Sequence, residues 1–232
     1  MTSRLKGVAA AAALSVLLGA CASTGAATSG QSTTSGGNQA NQSQPKALAP
    51  GLDPAANPDP FPSTYQALPG RPTAFVNANI FDGVGGEIRG GTVLIADGKI
   101  VQIGQNVAVP QGYQTIDARG RWITPGIIDA HSHLGVYASP SVAAHSDGNE
   151  ATDPNTAQVW TEHSLWPQDP GFNTARAGGV TTLHILPGSA NLIGGRSVTV
   201  RNVPATTYQA MKMPGAPQGL KMACGESPKR VY

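Results

Sequence analysis

Charge is scarce in this sequence. Asp, Glu, Lys and Arg make up 12% of its 232 residues, and the formal net charge is +2. So small an imbalance gives no electrostatic case for nucleic acid or an anionic membrane surface as partner. Cysteine is nearly absent, with Cys21 and Cys224 the two present. No apolar run is long enough to cross a bilayer: residues 7–20 fall short of the ~20 residues that a spanning helix needs. Residues 22–45 carry no charge at all. What is abundant is glycine, 29 residues, and proline, 19. That composition points to a loop-rich or partly disordered chain rather than a helical bundle. The length still allows one or two domains with a real core.

The N-terminus is organised for export. Arg4 and Lys6 precede the small-and-apolar run 7–20, which suits the core of a secretory signal. The run ends in Leu18-Gly-Ala-Cys21, which resembles the bacterial lipobox. That resemblance implies cleavage before Cys21 and lipid attached to it. Ala22 at the next position is then expected to direct the anchor to the periplasmic face of the outer membrane. Several acyl chains, at ~0.8 kcal/mol per buried CH₂, hold a protein on a membrane far better than one. The alternative is an ordinary signal peptide with a chance cysteine. With Cys21 lipid-bearing, Cys224 lacks a partner, so no intramolecular disulfide is expected, and Cys224 reads as a buried small hydrophobe. Residues 1–20 are therefore expected to be the signal peptide. Residues 21–71 are expected to be a disordered Ser/Gly/Pro-rich tether, too polar to offset its ordering entropy.

Residues 72–125 read as a small β-sheet. Ala74–Ile80 alternates as a strand, and Thr92–Ala96 and Lys99–Ile103 flank Asp97-Gly98, a type I′ hairpin signal. Gln114–Ala118 and Trp122–Thr124 supply two further short strands around the Arg119-Gly-Arg121 turn. Pro125-Gly126 then introduces Ile127-Ile-Asp-Ala-His-Ser-His133. The apolar start predicts a buried strand, and His131 and His133, two apart, project to one face where both imidazoles can reach one ion. In a barrel, such groups at a strand's C-terminal end would stand where active sites are built.

Ile127-Ile-Asp-Ala-His-Ser-His-Leu-Gly135 resembles the opening metal motif of the amidohydrolase superfamily, in its imidazolonepropionase-like branch. The resemblance spans roughly residues 72–232. It implies an α/β fold: a small β-sandwich whose N-terminal part is 72–125, then a (β/α)8 metal-dependent hydrolase barrel of which 126–232 forms the N-terminal part. It also implies Zn²⁺ or another divalent metal, one or two ions, held by His131 and His133. Asp129 is expected to orient the strand or a ligand from behind. Lys221, in the apolar segment Gly219–Gly225, is the candidate for the carboxylated strand lysine that bridges two metals in many relatives. Its alternative is a lysine that snorkels to the barrel rim. That lysine usually stands on the fourth strand, and three are counted here unless Ser197–Arg201 is another.

Between these motifs a long polar stretch after His133 suggests an excursion or a lid, with His145 and His163 as solvated loop residues. Asp169 caps a predicted helix to Ala177, with Pro170 at its first position and Gly178-Gly179 ending it. Val180–Leu186 predicts a second buried strand, which completes a βαβ order. His184 lies in mid-strand and reads as a satisfied core histidine. Asn191 and Arg196, in a Gly-rich loop after that strand, are candidates for binding a polar substrate group.

The expected function is metal-dependent hydrolysis of carbon–nitrogen bonds in a small amide-like substrate, with a lipid anchor holding the protein to the membrane. A whole barrel needs about 250 residues, more than follow Gly126. The sequence therefore reads as the N-terminal part of a longer enzyme or the product of an interrupted frame, active or inactive alone. The rival readings are an anchored metal- or solute-binding lipoprotein without turnover, and a nonfunctional remnant.

Overall fold

The computed structural model describes residues 58–232. The expected signal peptide, the lipid site Cys21 and most of the expected tether lie outside the described residues.

The first sheet follows from alternation and turn chemistry. β1 (Thr73–Phe81) pairs antiparallel with β2 (Glu87–Ala96), setting Phe75 opposite Val93 and Ile80 opposite Ile88. Asp97 and Gly98 carry β2 into β3 (Lys99–Gly104) with φ angles of 51° and 70°, the left-handed pair that a type I′ turn requires. β4 (Gln114–Asp117) and β5 (Trp122–Ile123) follow one another along the opposite edge of β1, both parallel to it. Ala78, Ile80, Val93 and Ala118 form the buried core of this sheet.

β6 (Ile127–Ser132) leads through the polar stretch to α1 (Pro170–Ala177), which returns the chain to β7 (Val180–Ile185) parallel to β6. The helix starts where its cap dictates. The carboxylate of Asp169 accepts from Gly171 N at 2.8 Å, Gly135 N at 2.8 Å and Ser139 N at 3.0 Å. One buried side chain thereby closes the helix and pins the beginning of the polar stretch to it.

Beyond β7 the expected succession of parallel strands does not appear. β8 (Ile193–Arg196) is followed after one residue by β9 (Val198–Arg201), which lies antiparallel to β7 with Thr199 opposite His184. After the single turn α2 (Tyr208–Met211), β10 (Leu220–Met222) pairs antiparallel with β8, and α3 (Glu226–Lys229) follows. The α/β class holds. Of a barrel, the described residues show one parallel pair, β6 and β7, joined through one helix. Ser197–Arg201 is not the extra parallel strand: the connection from β7 holds β8 and no crossover helix, and β9 comes back antiparallel to β7.

Three further expectations are corrected. Ile127 and Ile128 are exposed, 54% and 68%, since β6 has a partner on one side only among the described residues. The polar stretch is no free lid: Val136 and Leu165 enter the main core with Phe172, Leu183, Ile185, Val198, Val200 and Met211. The tether does not run to residue 71. Residues 59–65 are docked along α2, with Thr64 N donating to Gln209 O at 3.0 Å and Ser63 Oγ to Lys212 O at 2.6 Å. The Lys212 ammonium grips Asp59 at 2.6 Å, Phe61 O at 2.8 Å and the buried Glu162 at 2.7 Å. Phe61 packs edge-on against Trp160 and His163, ring centroids 5.6 and 4.6 Å away.

Candidate metal centre

The C-terminal end of β6 delivers the two histidines as the two-residue period predicts. Ser132 between them turns inward and is buried. The imidazoles of His131 and His133 meet with ring centroids 5.2 Å apart and planes at 87°. Asp129 accepts a hydrogen bond from the backbone N–H of His131 at 3.1 Å. Its carboxylate therefore braces the strand end and does not touch either ring.

Hydrogen bonds decide which ring nitrogens keep their lone pairs. His133 Nδ1 lies 2.9 Å from the carbonyl of Leu186, the residue just past β7. A carbonyl only accepts, so the proton sits on Nδ1 and Nε2 is left free as a donor to a cation. His131 Nε2 lies 3.3 Å from Lys221 Nζ. An ammonium only donates, so this nitrogen too holds its lone pair outward from the ring. Lys221 arrives from β10, on a ribbon separate from the sheet of β6, and is 6% exposed. Burial holds its amine below the usual lysine pKa. His131 and Lys221 face a cavity of about 610 Å³ that Leu186, Ser189, Met222 and Cys224 help to line.

The other predicted residues are placed elsewhere. Asn191 is buried, and its amide nitrogen lies within hydrogen-bond distance of Asp153 O at 2.9 Å, Thr156 Oγ1 at 3.1 Å and the Tyr232 hydroxyl at 2.9 Å, two of which its two protons serve at a time. These bonds tie residues 150–156 to the end of the chain. Arg196 stacks its guanidinium 4.6 Å from the Trp160 ring centroid. Neither residue lines the cavity of His131 and Lys221. His184 has both nitrogens engaged, Nδ1 with Thr199 Oγ1 and Nε2 with Ser197 Oγ, each at 2.9 Å. Burial holds its pKa below the usual histidine value, and His131 nearby lowers it further. His163 is exposed, whereas His145 is part-buried against Trp166, 4.9 Å between centroids. Cys224 is exposed, not buried, because the chain leaves β10 at Met222 before reaching it.

Sequence reasoning did not find the Leu186 carbonyl, since a backbone acceptor leaves no mark on residue type. Nor did it find Ser197, one small polar residue among many. Among the described residues no three His, Cys, Asp or Glu side chains cluster as metal ligands. The third donor that the fold brings to His131 is a lysine. His133 Nε2, free of a partner, and His131 Nε2, whose partner is the Lys221 amine, fit a divalent cation, provided that the amine is converted to an oxygen donor.

The chain is similar to known hydrolases over this region. It is 37% identical over 154 residues to amidohydrolase tasK of Hapsidospora irregularis, covering 61% of this chain and 16% of that protein. It is 31% identical over 132 residues to an imidazolonepropionase of Mesorhizobium japonicum, covering 48% of this chain and 32% of that one. The crystal structure of an amidohydrolase from Thermotoga maritima superposes with a TM-score of 0.64 at 40% identity, covering 69% of this chain and 41% of that structure. No protein-family model matches the chain. These likenesses support a place in the amidohydrolase superfamily. The chain spans less than half the length of each of these proteins.

Proposed function

We propose that this chain carries the entry half of a metal-dependent hydrolase centre acting on carbon–nitrogen bonds of small amide-like or cyclic substrates. The observation that carries this reading is the convergence of His131, His133 and Lys221 at the end of β6, with Lys221 Nζ 3.3 Å from His131 Nε2. His131 and His133 would hold the metal through Nε2. Lys221 would hold it as a carbamate: its neutral amine adds to carbon dioxide, a C–N bond forms and one proton leaves. The depressed pKa of the buried amine favours the neutral form that this step needs. The same residues would hold either one ion or two.

When bound, the metal supplies Lewis-acid activation of water and of the scissile carbonyl. The chain's own residues do the positioning. Leu186 fixes the His133 tautomer, Asp129 braces the backbone of His131, and the cavity beside Lys221 accommodates the substrate. The imidazolonepropionase among the similar proteins supports a cyclic amide-like substrate. The resemblance of Leu18-Gly-Ala-Cys21 to a lipobox supports an anchored form, a lipoprotein at the periplasmic face of the outer membrane.

The test is zinc binding by the native protein, measured by chelator competition, together with its native mass. One Zn²⁺ or more per chain, lost in His131→Ala and His133→Ala, and a native mass one carbon dioxide above that of the acidified, metal-free chain, are expected. Equal zinc binding by wild type and both variants would rule the centre out.

A further inference from the structure

Lys221 comes to His131 from a short ribbon that is not hydrogen-bonded to the sheet of β6. Something else must set its reach. The segment carrying it is gripped two residues earlier: Gly219 N donates to Ser197 Oγ at 2.8 Å, and Ser197 N donates to Gly219 O at 3.0 Å. Ser197 Oγ also lies 2.9 Å from His184 Nε2. His184 Nδ1 in turn lies 2.9 Å from Thr199 Oγ1. The hydrogen bonds form one chain linking Gly219, Ser197, His184 and Thr199.

The fit around Gly219 is close. A Cβ there would lie 2.7 Å from Ser197 Oγ and 3.0 Å from His184 Nε2. Side chains two apart on a strand share a face, so the side of Gly219 that rests on this pair is the side from which Lys221 projects. Ser197 is buried and His184 half-buried, so water does not substitute freely for either bond.

We propose that the Ser197–His184 pair is the positioning device for Lys221, docking Gly219 so that the amine stands against His131. It rests on the metal-centre reading above, and it gives the mid-strand histidine a task that neither metal ligation nor core packing supplies. The pair acts through Lys221 and touches no reacting atom.

The experiment uses Ser197→Ala, Ser197→Thr and Gly219→Ala in the native chain, each checked for fold by circular dichroism. Two readouts are taken. The first is the rate at which trinitrobenzenesulfonate labels Lys221 in metal-free protein, read by peptide mass mapping. The second is zinc affinity. Ser197→Ala is expected to label Lys221 faster and to bind Zn²⁺ about 10–100-fold more weakly, the usual loss when an outer partner of a ligand is removed. Ser197→Thr, which keeps the hydroxyl, is expected to restore both. Should Ser197→Ala fail to fold, Gly219→Ala reads the same docking from the other side. Unchanged labelling and unchanged affinity in a folded variant overturn the proposal. If wild type and His131→Ala bind Zn²⁺ alike, the metal-centre reading fails by itself, while the labelling rate still decides whether Ser197 positions Lys221.

Discussion

Lys221 and His131, ninety residues apart in sequence, face one another at 3.3 Å between Nζ and Nε2. A histidine and a lysine, both able to carry positive charge, gain no stability from facing one another, since like charges repel. The arrangement makes sense where both lone pairs serve a third party. Lys221→Met removes a proposed ligand and is therefore expected to weaken zinc binding by more than the roughly 10–100-fold that losing an outer partner costs. Stripping carbon dioxide from the buffer is expected to lower the metal content of wild type and leave that of Lys221→Met unchanged. Chelator competition under both atmospheres checks this.

His184 gives the protein a pH dependence whose sign can be worked out. Its folded pKa lies below the usual value, chiefly through burial and further through His131. The unfolded chain therefore takes up a proton at a pH where the folded chain resists it. Its contribution to stability is present above about pH 6.5, the ordinary histidine value, and is lost as pH falls through the folded pKa. Thermal midpoints measured from pH 8 to 5 are expected to fall more steeply in wild type than in His184→Gln. Parallel curves for the two would show that another group is responsible.

Much of this architecture is legible from residue types. Asp97-Gly98 announces its hairpin, Asp169-Pro170 announces α1, and the alternation of residues 74–80 announces β1. These are local signals, and local backbone preferences settle them. β8 is missed because Gly194-Gly195 reads as a loop. Gly195 is in fact a strand residue at φ 119°, where a Cβ would lie 2.7 Å from Val159 O, so glycine is demanded by packing and not by a turn. The direction of β9 and β10 is missed for a related reason: strand direction is a tertiary choice that a four-residue segment does not encode. At the candidate site the histidines are visible as a motif, and Lys221 is visible as a residue. Their meeting, and the bonds of Ser197 and Leu186 that arrange it, belong to the folded chain alone.

The docked segment 59–65 makes Lys212 the hub of a buried ion cluster. Glu162 is 1% exposed and Lys212 4%, and the two are 2.7 Å apart. Burial raises the pKa of Glu162, and the hydrogen bond from Lys212 opposes that rise. Removing one partner leaves the other buried without its counter-charge. Lys212→Met is expected to destabilise the protein by about 3–5 kcal/mol in urea unfolding, and Lys212→Met with Glu162→Leu to recover most of the loss. The single variant is also expected to free residues 59–65 for proteolysis, because Asp59 and Phe61 lose their grip on the same ammonium. A Lys212→Met stability within experimental error of wild type would show that the cluster contributes little.

Cys224 reports on the candidate centre from outside it. Its thiol is exposed, and it lines the same cavity as His131 and Lys221 without any hydrogen-bonded helper. An exposed thiol is open to a reagent while the chain stays folded. The folded, metal-free chain is therefore expected to titrate with Ellman's reagent at Cys224 without denaturant, where a buried cysteine would need unfolding first. Filling the cavity changes what the reagent meets. Zinc held by His131 and His133 is expected to slow the reaction of Cys224 in wild type and to leave it untouched in His131→Ala. Equal slowing in both would place the zinc on the thiol itself and away from the histidines. No slowing in either, at zinc concentrations that saturate the protein, would place the ion outside this cavity.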